Sequence, residues 1–357
     1  MTNAVTVAQG ASNNVTFRNR IINGGMVIDQ RNAGAALTIN ASSNSYTVDR
    51  WVVENSTTGG VVTAQQSSTA PAGFNYSLKT TVTTTGTLGT SGYLENQYKI
   101  EGYNLADLNW GSANAKAITL SFWVQSSVTG IFGGSIANGG YNRSYSFLFT
   151  ISSANTWEQK TVTIAGDTSG TWLTTNGIGA YVFINMGAGS SLGTTPNQWN
   201  ASGSRAATGE NASIIGTNGA TFYITGVQLE AGTTASPFEY RQYGTELALC
   251  QRYFQTWGGT TSGDYAPWTG LGYNSTTAEG CFIFIAPMRS SPSFTQVGNW
   301  YFNDAASDNA AGTLGTGVTA LQTTQMRSAT ATGLTGYRPY TLRGASSASR
   351  IQFSAEL

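Results

Sequence analysis

The chain carries seventeen acidic and seventeen basic side chains, and it has no histidine. Without histidine the commonest general base and the commonest transition-metal ligand are missing, and Ser-His-Asp triads, Cys-His pairs and histidine-held zinc go with them. Carboxylates remain for acid–base work. Glycosidases need a pair of them across the scissile bond. Asp49, Glu54, Glu95, Glu101, Asp107 and Glu158 are available, but seventeen acids always supply some pair, so these are expected to be ordinary exposed strand and turn acids. Asp49 and Arg50 sit together inside the apolar run YTVDRW. Neighbours on a strand face opposite sides, so the two are expected not to pair with each other, with one buried against a partner elsewhere in a structural role. Glu246 and Arg252 are read as the solvated or subunit-facing side of a helix. No nucleophile elbow, phosphate-binding loop, zinc helix or calcium loop occurs in a supporting context. No catalytic, metal or cofactor residue is therefore assigned, and the chain is expected not to be an enzyme.

Aromatic residues are the other candidates, because a ring stacks on a sugar or anchors a contact. Trp199 stands alone in the polar stretch 185–219, where it either pins a long loop to the body of the protein or offers a stacking face; pinning is the expected role. Trp172 and Tyr141 join it as candidate glycan or subunit contacts. Trp123 lies on the second face of an alternating strand and is expected to be covered by a neighbouring loop or subunit. Cys250 and Cys281, each within an apolar run, are expected to be buried free thiols.

The elements that must hold these residues are strands. Only 10% of residues are charged and the net charge is zero, so the surface cannot displace many counterions from nucleic acid, nor offer a polybasic patch to a membrane. No run approaches the length of a membrane-spanning helix, and the opening MTNAVTVAQGASNN lacks the pattern of a signal peptide, which points to a protein made in the cytoplasm. A surface so poor in charge suits a subunit whose faces are covered in an assembly. Period-two alternation marks strands at 46–54, 117–125, 145–151, 156–164, 179–186 and 221–230, rich in Val, Ile, Thr and aromatics. One helix is expected at 245–256, with Thr245 as N-cap and Leu247, Cys250 and Phe254 along a stripe. A shorter helical turn is expected at 103–108. Beyond residue 258 short strands return at 280–286, 293–297, 300–303 and 350–357.

Several segments resemble a family of tailed-bacteriophage virion proteins of the tail-fibre, minor structural or capsid-appendage type. They are RNRIINGGMVIDQRNAG (18–34), YTVDRW (46–51), ITLSFWVQSS (118–127), TWEQKTVTIAGDTSGTW (156–172) and ITGVQLEAGTTASPFEYRQYGTELALCQRYFQTW (224–257). The last is the most specific, since a strand, an acidic end, a Pro-Phe turn and a helix follow in the family's order. The loop 196–213 resembles the family's Trp-containing insertion, and 287–294 resembles a strand lead-in of its C-terminal domains. The strand pattern predicts an all-β chain with a smaller second β domain joined by a short helix, and the resemblance implies that the first domain is a jelly-roll sandwich similar to carbohydrate-binding modules. The expected divisions are an N-terminal arm and first strand (1–34), the jelly roll (35–244), the connecting helix (245–257) and the C-terminal β domain (258–357). The implied role is structural, in a virion, with the chain itself as a homotrimer, other capsid or tail proteins, and host surface polysaccharide as partners. A free-standing glycan-binding module and a tailspike-type glycan depolymerase are the alternatives.

Overall fold

The computed structural model describes residues 17–259 and 262–357. Most of the expected N-terminal arm, residues 1–16, lies outside the described residues. The protein is all-β, a jelly-roll-type sandwich followed by a smaller β unit, and divides into unit 1, Met1–Gln242, and unit 2, Tyr243–Leu357.

In unit 1 the strands are β1 (Leu37–Ile39), β2 (Ser43–Tyr46), β3 (Trp51–Asn55), β4 (Val61–Ser67), β5 (Ser77–Thr84), β6 (Tyr93–Glu101), β7 (Ile118–Ser126), β8 (Gly130–Asn138), β9 (Ser144–Ile151) and β10 (Glu158–Ile164). They continue as β11 (Ile178–Ala188), β12 (Gly193–Thr194), β13 (Trp199–Asn200), β14 (Ala206–Ala207) and β15 (Thr221–Ala231). One sheet runs β1, β4, β5, β15, β7, β10; the other runs β13, β9, β8, β11, β6, β3, β2. Alternation explains which side of each is dry. Ile118, Leu120, Phe122 and Val124 of β7 are fully buried, and Phe122 meets Phe149 of the opposite sheet edge-on at 5.3 Å. Phe132 of β8 lies 5.7 Å from Phe222 of β15, so the two inner faces interlock through aromatic rings. Trp123 is half-buried on the outer side, where it and Phe74 both approach the bulge glycine Gly226. The expected turn at 103–108 is two short 3-10 turns, Gly102–Asn104 and Ala106–Leu108.

The expected strand at 46–54 breaks instead into β2 and β3 around a buried turn. Thr47 N–H donates to Trp51 O at 2.9 Å and Trp51 N–H to Val48 O at 3.0 Å, with Arg50 at φ 73°. Asp49 and Arg50 are therefore both buried turn residues rather than strand neighbours. Asp49 accepts from Gln30 N–H at 3.0 Å, and Arg50 donates to Lys99 O at 2.7 Å. Their role is structural, as expected, in a different local geometry.

Unit 2 opens with the helix α1 (Tyr243–Gln251). It starts and stops earlier than the expected 245–256: Thr245 lies inside it, and Phe254 already pairs with Ser354 in a strand. Strand pairing there overrides helical spacing, and Glu246, expected on a solvated or subunit-facing side, is buried within the chain. The strands are β16 (Phe254–Gly258), β17 (Tyr265–Gly272), β18 (Ala278–Ile283), β19 (Ser293–Val297), β20 (Trp300–Asn303), β21 (Asp308–Ala310), β22 (Leu314–Thr319), β23 (Thr323–Ser328), β24 (Pro339–Gly344) and β25 (Arg350–Ser354). They form a sheet β16, β25, β19 and a sheet β21, β20, β24, β17, β18, β23, β22 around a core that includes Trp268, Phe282, Trp300, Phe302 and Phe353. Cys250 is buried, but Cys281 is exposed, because in β18 its neighbour Phe282 takes the core side. Among the described residues no helix is long and apolar enough to cross a membrane.

Candidate functional site

The seven-stranded sheet of unit 1 has a polar outer face whose composition follows from register. Glu54 of β3 pairs with Glu95 of β6, Glu95 with Asn185 of β11, Gln97 with Phe183, and Lys99 with Tyr181. These side chains point one way, while Trp51, Tyr98, Val182 and Ile184 point into the core. Two carboxylates directly opposite on neighbouring strands repel each other. The loop leading into β14 supplies the answer in Arg205. Its Nη1 donates to Glu54 Oε2 at 2.9 Å and also to Glu95 Oε1. Glu54 further accepts from Tyr93 Oη at 2.8 Å and Gln97 Nε2 at 2.9 Å. The guanidinium lies over aromatic rings as well, 4.4 Å from the Tyr93 centroid, 5.0 Å from Phe183 and 5.8 Å from Tyr141.

The loop that delivers Arg205 is tied to the same face. Ser144 Oγ donates to Ser202 O at 2.7 Å, Asn185 Nδ2 to Arg205 O at 3.1 Å, and the hydroxyls of Ser146 and Thr194 lie 2.7 Å apart. A third acid, Glu210, is held by Asn185 Nδ2 at 2.9 Å and Ala207 N–H at 2.8 Å. It packs so close to Gly133 that a Cβ there would collide with its carboxylate, which is why this strand position takes glycine.

Burial sets the electrostatics. Glu95 has no exposed surface, and burial pushes its carboxyl up to about 8, with Arg205 pulling down and Glu54 pushing further up. Glu210 is pushed up to about 7 by burial, against the hydrogen bonds from Ala207 and Asn185. Burial works against the charge of Arg205, and Glu95 and Glu54 more than offset it, so the guanidinium is held above its ordinary value. Burial also lifts the Tyr141 hydroxyl to about 12. Glu95 has no exposed surface and is bridged by the guanidinium to Glu54, so the three side chains clasp the loop to the sheet.

Trp199 and Trp172, two of the residues singled out in the sequence, come together around a third that was not. Trp110 lies 4.5 Å from Trp172 and 5.4 Å from Trp199, all edge-to-face, and Trp199 also meets Tyr145 at 5.4 Å. Each indole N–H is used: Trp110 donates to Lys116 O at 2.8 Å, Trp172 to Asp167 Oδ2 at 3.2 Å, and Trp199 to Ala165 O at 2.8 Å. Trp172 is buried and Trp199 half-buried, so the pair pins the loop. Tyr141 stands apart at the Arg205 side, 38% exposed and edge-on to Tyr181 at 6.1 Å. The three candidates therefore do not line one groove.

Among the remaining acids, Glu101 is buried, Asp107 pairs with Arg20 at 2.7 Å and Glu158 with Lys160 at 2.6 Å. The buried Asp49, Glu95 and Glu101 depart from the expectation of exposed acids, because each lies on a sheet or turn covered by other chain segments. Arg205, Glu210, Tyr181 and Trp110 went unnoticed in the sequence. The alternation in YVFIN does place Tyr181, Phe183 and Asn185 on one face, but nothing local says that Arg205 reaches them. Among the described residues no group of three or more Cys, Asp or Glu side chains could hold a metal ion.

No family model and no curated protein matches the sequence. Solved structures with similar backbones include the enzymatically active domain of tailspike protein 4 of bacteriophage CBA120, at 13% identity and a TM-score of 0.32 over 60% of this chain and 22% of that one. The chain thus spans about a fifth of that tailspike structure. Another is the CBM22-2 xylan-binding domain of Paenibacillus barcinonensis Xyn10C, at 17% identity and TM-score 0.31, covering 55% of this chain and 99% of that one. A third is the C-terminal family 22 carbohydrate-binding module of Clostridium thermocellum Xyn10B, at 12% identity and TM-score 0.30, covering 52% and 89%.

Proposed function

We propose that this chain is a non-catalytic structural subunit of a tailed-phage particle, a fibre or capsid-decorating appendage that assembles as a homotrimer through its β faces. The observation that carries the assembly reading lies in unit 2. Leu271 of β17 and Cys281 and Ile283 of β18 stand on the outward side of the seven-stranded sheet, with Tyr273 and Tyr337 beside a hollow of about 350 Å³. Leu271, Tyr273, Ile283 and Tyr337 are 51, 70, 63 and 82% exposed. These exposed aliphatic and aromatic side chains share the face with Glu279 and Gln325, and exposed large apolar side chains grouped with a few polar ones suit an interface. The particle itself is supported by the resemblance of five segments within residues 18–257 to virion proteins. Size-exclusion chromatography with light scattering tests the assembly: the full chain is expected to run as a trimer and Ile283→Asp as a monomer. A wild-type chain that is monomeric at all concentrations contradicts the proposal.

A second role, contact with surface glycans, is favoured by Tyr141, which stands exposed next to Tyr181 and Arg205. Aromatic rings beside a guanidinium suit a sugar's apolar face and its hydroxyls. In this reading the clasp positions the tyrosines, and Glu95, out of solvent under Arg205, performs no hydrolysis.

A further inference from the structure

We propose that unit 2 holds a separate binding site for a neutral saccharide, in the groove between β19 and β20. This groove has a volume of about 910 Å³, and none of its lining residues is charged. Its walls include Phe294, Gln296, Asn299, Trp300, Tyr301 and Thr313, a mixture of rings, amides and hydroxyls. An ionised ligand would lose hydration here and gain no counter-charge. A neutral sugar finds rings for its C–H faces and amides and hydroxyls for its oxygens.

Two further observations point the same way. First, the walls are fixed. Gln296 bridges them, with Nε2 donating to Gly312 O at 3.1 Å and Oε1 accepting from Leu314 N–H at 2.8 Å, while Thr313 N–H donates to Thr330 Oγ1 at 2.9 Å. A side-chain amide thus takes the place of a strand partner, so an added peptide strand is the poorer fit. Second, the side chains of Asn299 and Tyr301 make no hydrogen bond among the described residues, which leaves their polar atoms for a ligand. The inference does not depend on the chain belonging to a particle.

Calorimetric titration of the full chain with cellohexaose, xylohexaose, maltohexaose and laminarihexaose, with hexagalacturonate as the charged control, tests it. At least one neutral hexamer is expected to bind, and Asn299→Ala and Tyr301→Ala are each expected to weaken that binding by about tenfold or more. Tyr103→Ala, an exposed aromatic of unit 1 outside both sites, is expected to leave it unchanged. Asn299 is exposed, so its variant reports on binding rather than folding. The proposal is overturned if no neutral hexamer binds, if both groove variants bind like the wild type, or if hexagalacturonate binds equally well. Loss of binding in Tyr181→Ala alone also overturns it and assigns the saccharide to the tyrosines of unit 1.

Discussion

Glu95 sits opposite Glu54 on a neighbouring strand, a pairing that is unfavourable until Arg205 is threaded between them. Its consequence is a pH dependence with a definite sign. Burial raises Glu95 from 4.5 to about 8 and Glu210 from 4.5 to about 7, so folding favours the protonated forms. Their contribution to stability is complete below pH 4.5 and is lost as pH rises through these values. The melting temperature is therefore expected to fall between about pH 5 and about pH 9, and Glu95→Gln, which cannot ionise, is expected to flatten that fall. A Glu95→Gln chain with the wild-type slope in a calorimetric pH series would show that Glu95 does not carry the effect. None of this was legible in the sequence, where Glu95 is one acid among seventeen. The pairing that buries it depends on β3 and β6 meeting in one register, and on an arginine 110 residues away.

At the scale of elements, the stretch 189–213 behaves as a strap across the outer face of the seven-stranded sheet of unit 1, pinned near its middle by Trp199 and Arg205. Removing the indole of Trp199 deletes its contacts with Trp110, Trp172 and Tyr145 and its hydrogen bond to Ala165. Because Trp199 is half-buried, Trp199→Ala is expected to cost about 2–3 kcal/mol, below the range for a fully buried tryptophan. Amide exchange should quicken over 197–207 in particular, and unchanged exchange there would rule out the pinning role. The pin was readable from a single aromatic in a long polar loop. Its landing place was not, since Trp110 and Trp172 lie in other loops. Strand positions were readable wherever alternation was clean, as in β7, β11 and β15. They were misread where a buried turn interrupts an apolar run, as at Asp49 and Arg50, and where strand pairing cut short a helical pattern, as at Phe254.

For the whole molecule, zero net charge, a sandwich with one strapped polar face and a unit 2 sheet face that exposes Leu271, Ile283, Tyr273 and Tyr337 all fit the proposed assembly. The all-β character was visible in composition and periodicity alone, whereas the exposed side of the unit 2 sheet was not, because Leu271 and Ile283 look like core residues in sequence. Cys281 misled for the same reason. Immunogold electron microscopy, with an antibody against this chain applied to tailed-phage particles purified from the culture that produces it, tests the proposed structural role most directly. Gold over the head or the tail is the expected result. Particles that stay unlabelled while the chain is present in the same lysate would contradict the structural role.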